Sequence, residues 1–203
     1  MKTMYQRKAS LFTRITALTL LFALLLTSTV VAATPPTPPN ITADSAIVMD
    51  YDTGEVLYEK DADTMRVPAY MTKVMTAYII FEELEAGNLT LDTMVPVSNT
   101  NADRSSSSNY PAIVPLPYGQ SQSVDTLLKL ILIPSASASC IAMADYISGS
   151  EAAFVQRMNE TAQRLGMTAE YENCHGAHVH YLTARSQAIL VREFIRRFPQ
   201  ILD

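Results

Sequence analysis

Only one stretch of this chain carries a clear strand–turn–strand pattern, and it comes first. In "SAIVMDYDTGEVLYEK" the β-prone residues Ala46 to Met49 and Val56 to Tyr58 flank a turn made by Asp52, Thr53 and Gly54. The clear periodicity that follows is helical. Pro68 opens a segment in which Met71, Val74, Met75, Tyr78 and Ile79 recur at helical spacing, with Gly87 as the stop. "SVDTLLKLILI" resumes a helix with Asp125 near its start, Pro134 breaks it, and "SASASCIAMADYI" begins another. "SEAAFVQRMNETAQRLGM" is amphipathic, capped by Ser150 and ended by Gly166, and "TARSQAILVREFIRRF" is the last helix. This order lacks the strand–helix alternation of a parallel sheet. It also leaves a two-stranded hairpin, which is marginal alone in water, without the rest of a sheet.

A length of 203 residues suits one domain with a sizeable core behind an export segment. Residues 1–33 read as a signal peptide: Lys2, Arg7, Lys8 and Arg14 precede the apolar run "ITALTLLFALLL", and "TSTVVAA" ends in small residues, with cleavage expected after Ala33. An uncleaved N-terminal anchor is the alternative. Residues 34–42 form a proline-rich linker containing "TPPTPPN", and residues 43–203 form the domain. Cleavage removes four of the fifteen basic residues and none of the twenty acidic ones, leaving a net charge of −9. Nucleic-acid binding draws its affinity from Lys and Arg on phosphate, so no nucleic-acid partner is expected. No later segment is apolar enough to span a bilayer, and no membrane anchor is expected once the signal is removed. "NTNADRSSSSNYPAIVPLPYGQ" is polar and proline-broken and is expected to be surface loop, its run Ser105 to Ser108 solvated. Cys140 lies in an apolar helical run and suits a buried thiol; a disulfide with Cys174 is open in an oxidising exterior.

"VPAYMTKVMTA" (Val67 to Ala77) carries the chemistry. Position 70 and Lys73 stand one helical turn apart, so their side chains share a face at a helix N-terminus. A serine at 70 could be deprotonated by a neutral lysine amine, with the helix N-terminus favouring the charge that develops on attack. Tyr70 occupies that position instead.

The stretch "SAIVMDYDTGEVLYEKDADTMRVPAYMTKVMTA" resembles the opening of the serine-type D-alanyl-D-alanine carboxypeptidases, the low-molecular-weight penicillin-binding proteins of peptidase family S11. That family carries Ser-x-x-Lys here, then Ser-x-Asn, then Lys-Thr-Gly on a later strand. "LLKLILIPSASASCIAMADYISGSEAAFVQRMNETAQRLGMT" continues the likeness, placing Ser135-Ala136-Ser137 on Ser-x-Asn, and "YENCHGAHVHYLTARSQAILVREFI" extends it with the family's His175-Gly176 dipeptide. The resemblance implies an α/β (α+β) fold of the penicillin-binding-protein and β-lactamase type, a helical cluster with an incomplete antiparallel sheet. It implies an exported, cell-wall hydrolase that trims peptidoglycan stem peptides through an acyl-enzyme and needs neither cofactor nor metal. Lys73 is then the general base, Ser135 relays a proton toward the leaving D-alanine, and Ser137 helps hold the substrate amide.

Three departures bear on that carry-over. The phenol oxygen of Tyr70 lies several bond lengths beyond a serine hydroxyl and would overshoot the carbonyl. Ser137 supplies one donor where asparagine supplies an amide. The chain stops at Asp203 before any Lys-Thr-Gly, a substrate-carboxylate and oxyanion contact in the family. The expectation is therefore an inactive or weakly active member that takes β-lactams non-covalently at best, or a non-catalytic peptidoglycan-binding regulator, or a fragment. Plainer roles stand beside these: Ser135 and Ser137 follow Pro134, where serines cap helices, and "CHGAHVH" offers Cys174, His175, His178 and His180 to zinc at a spacing unlike structural sites.

Overall fold

A computed structural model describes residues 39–107 and 114–202. The expected signal peptide (1–33), most of the linker and Ser108 lie outside the described residues.

The hairpin forms as expected. β1 (Ala46–Met49) pairs antiparallel with β2 (Val56–Lys60), and the register shifts between Val48 and Met49. Pro68 does not open an α-helix directly. It caps a 3₁₀ turn (Ala69–Thr72), after which α1 (Lys73–Glu85) runs to Ala86. Met75, Ala77, Tyr78, Ile79 and Ile80 are all fully buried. A helix enclosed on all sides is apolar all round, which suits its central place among the others.

The expectation of loop between residues 99 and 120 is corrected in part. α2 (Asn99–Ser105) forms there, its N-terminus capped by Ser98 accepting from the Asn101 amide. Ser105 is buried rather than solvated: its hydroxyl donates to Ala102 O at 2.6 Å and accepts from Leu116 N at 2.8 Å. Two short ladders were also not anticipated. β3 (Met94–Pro96) pairs antiparallel with β4 (Ser121–Ser123), and β5 (Ala169–Glu170) with β6 (Tyr181–Leu182), so the described residues hold three separate two-stranded sheets.

Three of the remaining helices start on hydroxyl caps, of which the sequence reading named only Ser150. α3 (Val124–Leu132) starts at Ser123, α5 (Glu151–Arg164) at Ser150 and α6 (Ala184–Arg197) at Thr183, each cap hydroxyl accepting an amide of the first turn. α4 (Ser137–Ser148) differs, because its N-cap is Ala136, which has no capping side chain. Neither Ser135 nor Ser137 occupies the cap, which corrects that reading of the two serines.

α1 packs against α3, α4, α5 and α6, and α6 also covers β1. Tyr78 and Phe81 of α1 meet Phe194 and Phe198 with ring centroids 5.2 to 5.8 Å apart, mostly edge to face. Arg192 ties the hairpin to α6 by donating to Tyr51 O at 2.7 Å and Asp52 O at 2.9 Å. Among the described residues no helix is long and apolar enough to cross a membrane.

Candidate active site

The turn before α1 is strained. Ala69 has φ +48°, a left-handed conformation that costs a residue with a Cβ about 1–2 kcal/mol. Two neighbours hold it there. Thr72 Oγ1 donates to Ala69 O at 2.7 Å, and Gly176 lies so close that a Cβ on it would fall 1.9 Å from the same oxygen. Gly176 itself has φ +78°. The position therefore demands glycine twice, for its conformation and for the approach. His175-Gly176, noticed in the sequence only as a dipeptide, is the piece that packs against the turn.

The segment 173–180 is fastened to the start of α1 by side chains that sequence reasoning passed over. Thr76 Oγ1 donates to Cys174 O at 2.5 Å. Asn173 Oδ1 accepts from Gly176 N at 2.6 Å and His175 N at 3.3 Å. His180 stands between Asn173 Nδ2 at 2.9 Å and Thr72 Oγ1 at 2.7 Å. Thr72, Thr76, Asn173, His175 and His180 are all buried.

Lys73 is the first residue of α1 and is only 4% exposed. Its ammonium donates to His175 O at 2.7 Å and lies 4.4 Å from the centroid of the Tyr70 ring. Burial pulls its pKa below the ordinary lysine value. The sequence pairing of positions 70 and 73 is thus realised, but as an aromatic face over an amine rather than a hydroxyl beside one. Tyr70 is 42% exposed, so its ring forms the outer cover of the lysine.

Ser135 and Ser137 sit at the entrance to α4, the helix against α1. Ser135 is half-buried with φ +63°, a conformation reached as Ala136 N–H returns to Leu130 O at 2.8 Å. Ser137 is the first helical residue and is buried. One turn on, Cys140 is a free thiol, as is Cys174, and both are fully buried. Burial pushes Cys140 up to about 12 and Cys174 well above its usual value, so both stay protonated and unreactive.

His175 is held neutral. Its Nδ1 accepts from Ala177 N at 3.1 Å, which leaves the proton on Nε2, 3.4 Å from Glu151 Oε1. Burial first, and then smaller electrostatic contributions from its neighbours, the Lys73 and Arg104 cations among them, push the imidazole down to about 3. Cys174 also turns to Glu151, its Sγ 3.4 Å from Oε1. The histidines and cysteine of "CHGAHVH" are thus engaged with protein groups, and no three His, Cys, Asp or Glu side chains among the described residues are grouped to hold a metal ion.

Chemically the arrangement offers a desolvated amine at a helix N-terminus, two serines at the entrance to the neighbouring helix, and an aromatic ring over the amine. The family model for D-alanyl-D-alanine carboxypeptidases, peptidase family S11, matches residues 30–203. The D-alanyl-D-alanine carboxypeptidase DacC of Escherichia coli (strain K12) is 36% identical over 166 residues, covering 80% of this chain and 42% of that protein. DacF of Bacillus subtilis (strain 168) is 36% identical over 157 residues, covering 76% of this chain and 39% of that protein. In three dimensions the chain is similar to the D-alanyl-D-alanine carboxypeptidase DacD from Francisella tularensis, with a TM-score of 0.76 and 35% identity, over 88% of this chain and 42% of that one. It is similar as well to penicillin binding protein 5 from Haemophilus influenzae, with a TM-score of 0.75 and 29% identity, over 81% of this chain and 48% of that one. The chain thus spans about two-fifths of the curated relatives it matches. The match over most of its length, on a fold of the penicillin-binding-protein type, means that the chain belongs to the D-alanyl-D-alanine carboxypeptidase family, peptidase family S11.

Proposed function

We propose that this chain is an exported, cell-wall-directed member of the family that keeps the general base and lacks the nucleophile, and that it engages peptidoglycan stem peptides with little or no turnover. The observation that carries this reading is the Tyr70 ring 4.4 Å from the Lys73 amine. An amine placed to take a proton from a serine hydroxyl has an aromatic face in front of it, on a side chain that is 42% exposed. Loss of the nucleophile in a serine hydrolase costs about 10⁶ in turnover, or roughly 8 kcal/mol of barrier, which a retained base cannot offset.

In this reading Ser135 is the proton relay and Ser137 the substrate-amide contact, as in the family's Ser-x-Asn. Residues 1–33 are the signal that exports the chain, residues 34–42 a linker, and residues 43–203 the carboxypeptidase-like domain. A non-catalytic peptidoglycan-binding regulator fits the same observation, because a cleft that binds and does not cleave is what remains when the nucleophile is replaced.

Fluorescent penicillin tests the reading. The full chain should show no covalent band after denaturing electrophoresis, and a band abolished by excess unlabelled penicillin would overturn the proposal. Tyr70→Ser should restore labelling in a chain extended to the length of its relatives.

A further inference from the structure

We propose that His180 is a positioning residue, which through Thr72 fixes the Ala69 carbonyl and hence the turn that presents residue 70 and Lys73. Its importance rests on the reading of those two positions as the reactive pair of the family, while the geometry stands without it.

The direction of each hydrogen bond in this relay can be assigned from its neighbours. Asn173 Oδ1 is taken by the amides of Gly176 and His175, so its NH₂ faces the other way, donating to His178 O at 3.0 Å and toward His180 Nδ1 at 2.9 Å. Nδ1 is therefore the acceptor, and the proton of the neutral ring sits on Nε2. Nε2–H then donates to Thr72 Oγ1 at 2.7 Å, which leaves the threonine proton free to donate to Ala69 O at 2.7 Å. The relay ends on the one residue of the turn with a left-handed backbone, at φ +48°. Gly176 closes the same oxygen from the other side. Every member from Asn173 to Thr72 is buried, so water does not replace a lost bond and each loss is felt at Ala69.

The relay has one working protonation state. A second proton on His180 would set N–H against the Asn173 NH₂, and rotating the amide would break the two bonds at Oδ1. Burial holds the ring toward its neutral form, and the Glu172 carboxylate opposes this. The other titratable neighbours are Tyr171, whose ring lies 5.5 Å away and whose phenol burial keeps protonated, and His175, itself neutral. Thr72, from the turn, brings no charge.

Amide hydrogen exchange on the full chain reads the turn directly, since Met71 N–H bonds to Pro68 O and Lys73 N–H closes onto the turn. Thr72→Val keeps the shape of the buried side chain and removes the relay. It should speed exchange at Met71 and Lys73 about tenfold while amides in the middle of α5 keep their rates, and Thr72→Ser should restore wild-type protection. Equal rates in the Val and Ser variants would overturn the proposal, and so would a uniform acceleration across α5. Should Thr72→Val not fold, the wild-type chain decides. As acid titrates His180, followed by the ¹³C shift of its ring, protection at Met71 and Lys73, corrected for the intrinsic pH dependence, should fall in step, and unchanged protection with the ring protonated would refute the relay. Neither arm uses penicillin or peptide, so failure of the functional reading and failure of this one are separate outcomes.

Discussion

Gly176→Ala is the sharpest test of how the candidate site is assembled. A Cβ at this position would meet Ala69 O at 1.9 Å, Ala69 C at 2.5 Å and Thr72 Oγ1 at 3.0 Å. Ordinary contact begins near about 3.5 Å, so the two backbone segments must part by about 1.5 Å. The obstacle is main chain on a turn already held at positive φ, which cannot swing aside as a side-chain tip can. Two costs add: about 1–2 kcal/mol for an alanine in the left-handed region, and about 1–3 kcal/mol for the overpacking. The first can be measured alone, because Gly149 has φ +79° and a Cβ added to it would meet nothing within 4 Å. Urea unfolding followed by circular dichroism should therefore show Gly149→Ala losing about 1–2 kcal/mol and Gly176→Ala losing about 2–5 kcal/mol. Equal losses would mean that the 173–180 segment does not press on the turn, and the account of the site would fail.

Two further outcomes follow from the buried titratable groups. His175 has a folded value of about 3 against an ordinary 6.5, so between those limits the unfolded chain binds the proton and the folded chain does not. The stability contributed by its neutral form is complete above the unfolded value and falls as pH drops through that window, by up to about 1.4 kcal/mol per pH unit, and His180 acts in the same direction. Urea midpoints that stay flat from about pH 7 to about pH 5 would contradict this, since few carboxylates titrate there. Cys140 and Cys174 are free, fully buried and held protonated, so a thiol-reactive disulfide reagent should find neither in the native chain and both in denaturant. Rapid modification of either one under native conditions would sink that prediction.

Much of the frame was legible because it rests on local signals. Ser123, Ser150 and Thr183 mark helix starts by hydroxyls that accept first-turn amides, and Gly54 marks the hairpin turn by its positive φ of +79°. α2 was missed because Asn99–Ser105 contains no apolar stripe: Asn101 and Ser105 are buried by virtue of side-chain bonds to Asp145 and to Ala102 O and Leu116 N, which composition does not reveal. Ladders of two or three residues, such as β5 with β6, are too short to show a two-residue period. Tyr70 and Lys73 were legible as a pair because three residues in a turn bring side chains together. What surrounds them was not, since Thr72 meets His180 across 108 positions of sequence and Lys73 meets His175 across 102. Two of the three histidines offered to zinc, His175 and His180, are the far ends of those bonds.

Tyr70 also alters the lysine it covers. Burial drives Lys73 toward the neutral amine that a general base requires, and it is the largest influence on that side chain. An aromatic face 4.4 Å from Nζ pulls the other way, because the ring quadrupole attracts a cation and has nothing comparable to offer a neutral amine. Acceptance of an ammonium proton by His175 O reinforces it. On the proposed reading the replacement removes a nucleophile, and the ring opposes part of the effect that burial has on the lysine. Two substitutions separate the ring's electrostatics from its bulk. Tyr70→Phe keeps the π face and should leave the Lys73 titration, read from the ¹³Cε shift of labelled lysine, near that of the wild type. Tyr70→Leu keeps an apolar cover without the π face and should lower the Lys73 pKa further. If the leucine chain titrates at or above the phenylalanine chain, the ring does not hold the charge, and Tyr70 acts on Lys73 only by standing in its way.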